Sequence, residues 1–307
     1  MIRIAYDDRL LRWKLGKTHP SSPERAKNAI HMLESMGADI QVSRISGVAT
    51  VQDLTLVHSP EYVMATIRGY NDEWQGCQPK LGKVARLMFQ GTVDMVWRME
   101  RDGPGIYFSP QGAKHHAGYA RGSGFCVFND MAWAATYLSR QGHRVLYLDT
   151  DAHHGDGVEN LTYGNTDVMT ASIHDSSIFP GTGNWDTPNL RVFNWPLEAG
   201  AGDDELCESV AHALELAADF DPTVILVALG GDGYADDPLS TLQYSYTGYG
   251  RIARSIAAFA RERSAPIIVG GAGGYLPKTH TPAVWASFVS ELEYAYTSRH
   301  VYTGAAL

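Results

Sequence analysis

The chain has 307 residues, long enough to bury a substantial core, and its 34 acidic against 25 basic residues give a formal charge of −9. No lysine- or arginine-rich stripe that could track phosphates is present, which argues against nucleic acid as a direct partner, whereas a cationic substrate is compatible with the acidic balance. Three cysteines (Cys77, Cys126 and Cys207), far apart and outside any CxxC spacing, argue against a disulfide framework; no stretch reaches the roughly 18 apolar residues of a membrane span.

The opening "MIRIAYDDRLLRWKLG" lacks the apolar run of a signal peptide, so a cytoplasmic location without membrane attachment is expected. Its "IRIAY" is the first short apolar run, stopping at Asp7. Next comes a helical stripe, Ala26, Ala29, Ile30 and Leu33, behind a possible capping box Ser21…Glu24 and before a stop at Gly37. The stretch from Asp72 to Gly82, with "WQGCQPKLG", reads as a surface loop. Further apolar runs follow: "GIYF" before Ser109, "VLYL" before Asp149, "VMTASI" before His174, "VILVAL" before Gly230 and "PIIVGG" before Ala272. Two more helical stripes lie among them, Leu206, Val210, Ala213, Leu214 and Ala217, then Ile252, Ile256 and Phe259. Continuous rather than alternating hydrophobicity marks strands covered on both faces, and alternation with helices predicts a doubly wound α/β fold. No repeat or linker divides the chain, so residues 1–307 are read as one three-layer α/β/α domain with a mainly parallel sheet. Ligands of such folds bind in the crevice at the carboxyl ends of the strands, where the polar clusters after these runs would converge.

Those clusters carry chemistry. "GAKHHAGY" holds the adjacent His115 and His116; "LDTDAHHGDG" packs Asp149, Asp151, His153, His154 and Asp156 directly behind a strand. If the extended conformation persists past Leu148, Asp149, Asp151 and His153 point to one side. So many carboxylates at the edge of a core repel one another unless a cation joins them. Asp232, in "VALGGDGYADDPL", supplies a further carboxylate, and with Asp151 and His153 makes the three protein ligands of a catalytic zinc site. Asp149 and Asp156 are left to orient the two histidines. Tyr275, in "GGAGGYLP", could bring a phenol toward a developing oxyanion.

These residues resemble the histone deacetylase superfamily, which includes acetylpolyamine amidohydrolases and acetoin-utilisation proteins. The similarity runs in order through "HPSSPERAKNAI" from His19, "VHSPEYV" from Val57, "HHAGYARGSGFCVFNDMAWAA", "LDTDAHHGDG", "SIHDSSIFPGTG", "GGDGYADDPL" and "GGAGGY". It implies an arginase/deacetylase-like fold and one zinc ion per chain on Asp151, His153 and Asp232. It further implies a catalytic pair His115 and His116, partnered by Asp149 and Asp156, with Tyr275 as electrophile. Gly124, Phe125 and Phe179 match the acyl tunnel and Leu239 its rim. Oxygens of Asp149, Asp151, His153 and Ser172 match a potassium site, and His154 is read as structural. The implied reaction removes an acetyl group from an N-acetylated amine, whether acetyl-lysine, an acetylpolyamine or a small biosynthetic intermediate; homo-oligomerisation stays open.

The sequence departs from the family where bacterial and class II members carry Arg-Pro-Pro-Gly before the histidines. Here the stretch is "SPQGAKHH", with Lys114 next to His115, either pointing outward or meeting released acetate or an acidic part of the substrate. Two rivals remain at this stage. A binuclear manganese ureohydrolase of arginase-like architecture would want further Asp-rich metal motifs, and a non-catalytic acyl-binding module would be expected to lack one of the residues above.

Overall fold

The computed structural model describes residues 1–16 and 19–298. Its framework is one eight-stranded sheet. The strands are β1 (Ile2–Tyr6), β2 (Ile40–Arg44), β3 (Ile106–Ser109), β4 (Val145–Asp149), β5 (Val168–Asp175), β6 (Val192–Leu197), β7 (Val224–Leu229) and β8 (Ile267–Gly271). They lie in the order β2-β1-β3-β8-β7-β4-β5-β6, and every pairing is parallel. The expected parallel sheet is therefore present and carries no antiparallel strand. Every residue of β3, β4, β5, β7 and β8 is buried, as expected of strands covered on both faces. The edge strands escaped the sequence reading: β2, "IQVSR", is half polar and largely exposed, and β6 carries Pro196, which an edge tolerates.

Helices cover both faces. Helix α1 (Glu24–Ser35) starts behind Pro23 without the expected capping box; instead the Ser22 hydroxyl accepts from the Glu24 amide at 3.3 Å. The chain then forms α2 (Val51–Leu54), α3 (Pro60–Arg68) and α4 (Pro79–Asp102) before β3. The loop assigned to residues 72–82 thus ends early, because Pro79 opens the longest helix of the chain, as proline can at a first helical turn. After β3 come α5 (Asp130–Arg140), α6 (Asp156–Thr162), α7 (Asp203–Phe220), α8 (Tyr246–Glu262) and α9 (His280–Thr297). Side chains of α1, α7, α8 and α9 build the core on one face of the sheet, and those of α3, α4 and α5 build the other. Among the described residues no helix is long and apolar enough to cross a membrane.

Two features of this frame position the later chemistry. First, β4 lies between β5 and β7, and the chain proceeds outward from this pair in both directions, through β5 to β6 and through β7 to β8. That reversal opens a crevice at the carboxyl ends of β4 and β7. Second, the N-terminus of α5 grips the segment after β3. Asn129 donates to the His115 and Ala117 carbonyls at 3.3 and 3.0 Å. The buried Asp130 carboxylate accepts from the Ala113 and Lys114 amides at 2.9 and 2.8 Å and from the Thr92 hydroxyl. Replacing Asp130 by Ala strands two buried amides, and urea unfolding should show a loss of about 2–4 kcal/mol.

Candidate active site

The described site is built at the carboxyl ends of adjacent strands. His115 and His116 follow β3, Asp149 ends β4, Asp151 and His153 lie in the bend beyond it, Asp232 follows β7 and Tyr275 follows β8. The parity argument for "LDTDAHHGDG" fails in detail, since extended backbone stops at Asp149. Convergence comes instead from the bend, where the Asp149 carboxylate accepts from the Asp151 amide at 3.0 Å and Asp151 from the His153 amide at 2.9 Å.

One oxygen each of Asp151 and Asp232 lies 3.0 Å from His153 Nδ1. All three residues are buried, and their donor atoms lie within 4.8 Å of one another. A tetrahedral ion with bonds of about 2.0–2.2 Å separates its ligand atoms by roughly 3.3–3.6 Å, close to this spacing. The electrostatics fit the same reading. Burial and the charge of Asp151 push the Asp232 carboxyl up; burial also opposes ionisation of Asp151, but His115 and His153 outweigh it and hold that group low. Burial disfavours a charged His153, yet Asp151 and Asp232 raise it to about 11. Two carboxylates competing for one proton beside a histidine form a site in which a divalent cation resolves the conflict. The remaining carboxylate oxygens are fixed by backbone: Gly273 N–H donates to Asp151 at 2.5 Å and Ala152 N–H to Asp232 at 3.1 Å.

Gly230 and Gly273, after β7 and β8, make room for the site, because a Cβ on either would run into the Asp151 and Asp232 carboxylates. Among the described residues Asp151, His153 and Asp232 form the one such cluster.

Beside it stand two histidine–aspartate pairs. His115 Nδ1 lies 2.7 Å from Asp149, and His116 Nδ1 lies 2.7 Å from Asp156, the first residue of α6. The two imidazoles lie with centroids 4.0 Å apart, tilted by 44°, yet their proton affinities diverge. Burial disfavours charge on both. For His115 the Asp149 and Asp151 charges win and raise it to about 9; for His116 burial and the neighbouring His115 lower it to about 4. Aspartate and burial thus separate the pair, favouring the charged form of His115 and the neutral form of His116.

Phe179 packs edge-on against His116 at 5.1 Å, and Phe125 faces Tyr275 at 6.1 Å. Gly124 admits this closeness, since a Cβ there would strike the His116 ring. Leu239 is exposed on the loop leaving Asp232 and does not line the cavity under His116 and Tyr275. Burial and the Asp232 and Asp151 charges push the Tyr275 phenol well above 10, so it remains a proton-bearing donor. Register places Ser172 of β5 opposite Asp149, and its hydroxyl lies 3.0 Å from His174 Nδ1. His154 is held between Thr182 and Glu159 at 2.8 and 3.0 Å, away from the ligand triad.

Sequence reasoning missed Glu73 and Asp72. In the loop it left unassigned, Glu73 accepts from the Phe125 amide at 2.8 Å and Asp72 from Gly122 at 3.1 Å, so this loop props the segment that carries Phe125. Nothing in the local pattern distinguished these acids from solvated ones.

The arrangement groups two carboxylates and one histidine that could hold a metal ion beside two histidine–aspartate pairs. The chain belongs to the histone deacetylase family, whose domain profile matches residues 19–292. It is 33% identical over 306 residues to the acetoin utilization protein AcuC of Bacillus subtilis, covering 90% of this chain and 78% of that one. It is 29% identical to histone deacetylase clr6 of Schizosaccharomyces pombe, covering 91% and 74%. Among solved structures, an acetylpolyamine aminohydrolase from Burkholderia pseudomallei superposes with TM-score 0.79 at 23% identity, covering 96% and 99%. The HD domain of HDA15 superposes with TM-score 0.84 at 24% identity, covering 96% and 89%.

A Gly273→Ala variant should push a methyl group into both the Asp151 and Asp232 carboxylates. Divalent-ion affinity, measured by zinc content after dialysis against a buffered zinc series, should fall at least about tenfold.

Proposed function

We propose that the chain is a zinc-dependent amidohydrolase, one catalytic unit that removes an acetyl group from an N-acetylated amine. The observation that carries this reading is the pair of adjacent histidines, one pushed up to about 9 and the other down to about 4, beside the Asp151–His153–Asp232 triad. An acid and a base with separated proton affinities are what amide hydrolysis needs, because water must lose a proton and the departing amine must gain one.

Asp151, His153 and Asp232 would hold the zinc, which when bound polarises a carbonyl and makes water more acidic. His116, neutral and oriented by Asp156, takes a proton from the attacking water. The Tyr275 phenol donates to the carbonyl oxygen as negative charge develops there. His115, charged and paired with Asp149, stands next to His116 and supplies the proton that lets the amine leave, yielding free amine and acetate. Gly124, Phe125 and Phe179 form the slot for the acyl-bearing chain, with Leu239 at its outer rim. A potassium ion held by main-chain oxygens of Asp149, Asp151 and His153 with the Ser172 hydroxyl would stiffen the strand end that carries the site.

The substrate class comes from the family: relatives are named histone deacetylases and acetoin utilization proteins, and a structural neighbour is titled an acetylpolyamine aminohydrolase. Their shared chemistry is an acetylated amine. The zinc-loaded protein should therefore release acetate from at least one of an acetyl-lysine peptide, an acetylpolyamine and an N-acetylated small amine. No release from any of them, or a content of about two manganese ions per chain, would sink the proposal.

Tyr275→Phe should lower kcat by roughly 10²–10³ with KM little changed, measured by acetate release. The pH profile offers a separate check. His116 must be neutral, which holds above its lowered value, and His115 charged, which holds below its raised one, so kcat/KM should form a plateau bounded on both sides. Asp149→Asn removes a charge that keeps His115 up, and should move the alkaline limb down by about a unit or more while the acid limb stays.

A further inference from the structure

Asp237 has no part in the chemistry above, although it lies in "GGDGYADDPL", the loop that leaves Asp232. Its neighbour Asp236 faces solvent, whereas Asp237 is only 5% exposed and forms no ion pair among the described residues. A carboxylate taken out of water without a cation has to find its donors elsewhere. Asp237 finds two in the backbone: one oxygen accepts from the Leu239 amide at 3.1 Å, the other from the Tyr275 amide at 2.7 Å. The first bond is the ordinary turn of an aspartate onto the amide two residues ahead, which an exposed side chain makes equally well. The second crosses to the loop after β8, and no turn requires it.

For Tyr275 that bond stands alone. Among the described residues Tyr275 makes no other hydrogen bond, through its phenol or through its carbonyl. Its ring meets Phe125 and His153 edge-on, with centroids 6.1 and 6.4 Å away, contacts that give the ring a surface to pack on but no anchor. The same two loops are joined once more, where Gly231 N–H donates to the Gly273 carbonyl at 2.9 Å. The loop after β7 therefore grips the loop after β8 on both sides of Gly274, and the place of the phenol relative to Asp232 is set through Asp237.

We propose that Asp237 is a positioning residue for the reaction: by holding the Tyr275 amide it places the phenol where charge develops on the carbonyl oxygen, without itself touching the substrate. The proposal rests on the reading of Tyr275 as the oxyanion donor of a deacetylase. An Asp237→Asn side chain has the same shape but one acceptor oxygen in place of two. Whichever way it turns, its NH₂ group meets an amide N–H, and one of the two bonds is lost. A donor displaced by up to about 1 Å forfeits part of what it gives in the transition state and little of substrate binding. The consequence is a loss in kcat that depends on the phenol being present.

The test is a double-mutant cycle on the zinc-loaded protein, read by acetate release from whichever of an acetyl-lysine peptide, an acetylpolyamine and an N-acetylated small amine it cleaves. Asp237→Asn should lower kcat by about 5–50-fold with KM and zinc content unchanged, and in the Tyr275→Phe background it should cost less than about twofold further. A loss of equal size in both backgrounds would overturn the proposal, because Asp237 would then act through Asp232 or the fold and not through the phenol. An Asp237→Asn protein as fast as wild type would overturn it too. Asp237→Ser, which also keeps one acceptor, serves should the Asn protein fail to fold. A second readout needs no turnover. In protein labelled with 3-fluorotyrosine, the Tyr275 fluorine resonance, identified by its loss in Tyr275→Phe, should shift or broaden in Asp237→Asn, and an unmoved resonance would sink the tie. If no acetylated amine is cleaved while that resonance still moves, the tie stands and the deacetylase reading alone has failed.

Discussion

The rest of the site depends on negative charge concentrated where solvent is absent. Asp149, Asp151 and Asp232 are fully or almost fully buried at the ends of neighbouring strands, and Asp151 and Asp232 converge on the same histidine nitrogen. Buried carboxylates this close do not persist as bare ions. Without a metal, the conflict is relieved by protonating His153 and by raising Asp232. A divalent cation would relieve it more completely, so the same strain that destabilises an empty site would become affinity for the ion. The Asp151 charge reaches further, helping to hold His115 in its charged form.

Such a concentration is sustainable because the sheet concentrates donors at the same edge. All eight strands run in one direction, so the segments leaving β3, β4, β7 and β8 emerge together. The loops then supply backbone N–H groups to the acids: Asp151 and His153 from within the bend, Ala152 to Asp232, Gly273 to Asp151. Gly230 and Gly273 leave room for that approach. The site is therefore a property of the sheet's topology as much as of the residues on it.

That distinction explains what could be read from the sequence. The central strands were legible because burial on both faces leaves runs such as "VILVAL" with no polar residue, and the titratable clusters stood out because each follows such a run. That two histidine–aspartate pairs would form could be anticipated from the inventory of groups, whereas the assignment of Asp149 to His115 and of Asp156 to His116 came from the resemblance to the family. Edge strands β2 and β6 were hidden by their polar and proline content. Helix α4 was hidden because Gly82 and the polar "WQGCQPKLG" obscured its start, and Glu73 because its partner, the Phe125 amide, is a backbone group more than fifty residues away. The burial of Lys114 was equally hidden: its amide is held by Asp130 at the start of α5, sixteen residues away.

The proposed centre with two carboxylate ligands would also account for the number of assisting groups. Two anionic ligands would offset the full charge of a divalent ion, leaving less pull on a carbonyl or on water than a site of three neutral histidines exerts. On that proposal the deficit would have to be met by the chain. His116 favoured neutral by burial, His115 favoured charged by aspartate and a Tyr275 phenol kept protonated by burial and nearby carboxylates would each meet one part of it. The carboxylates that would weaken the ion's Lewis acidity are the same groups that, with burial, raise Tyr275 and help to raise His115, which would couple the proton affinities of the assisting residues to the ligand set itself.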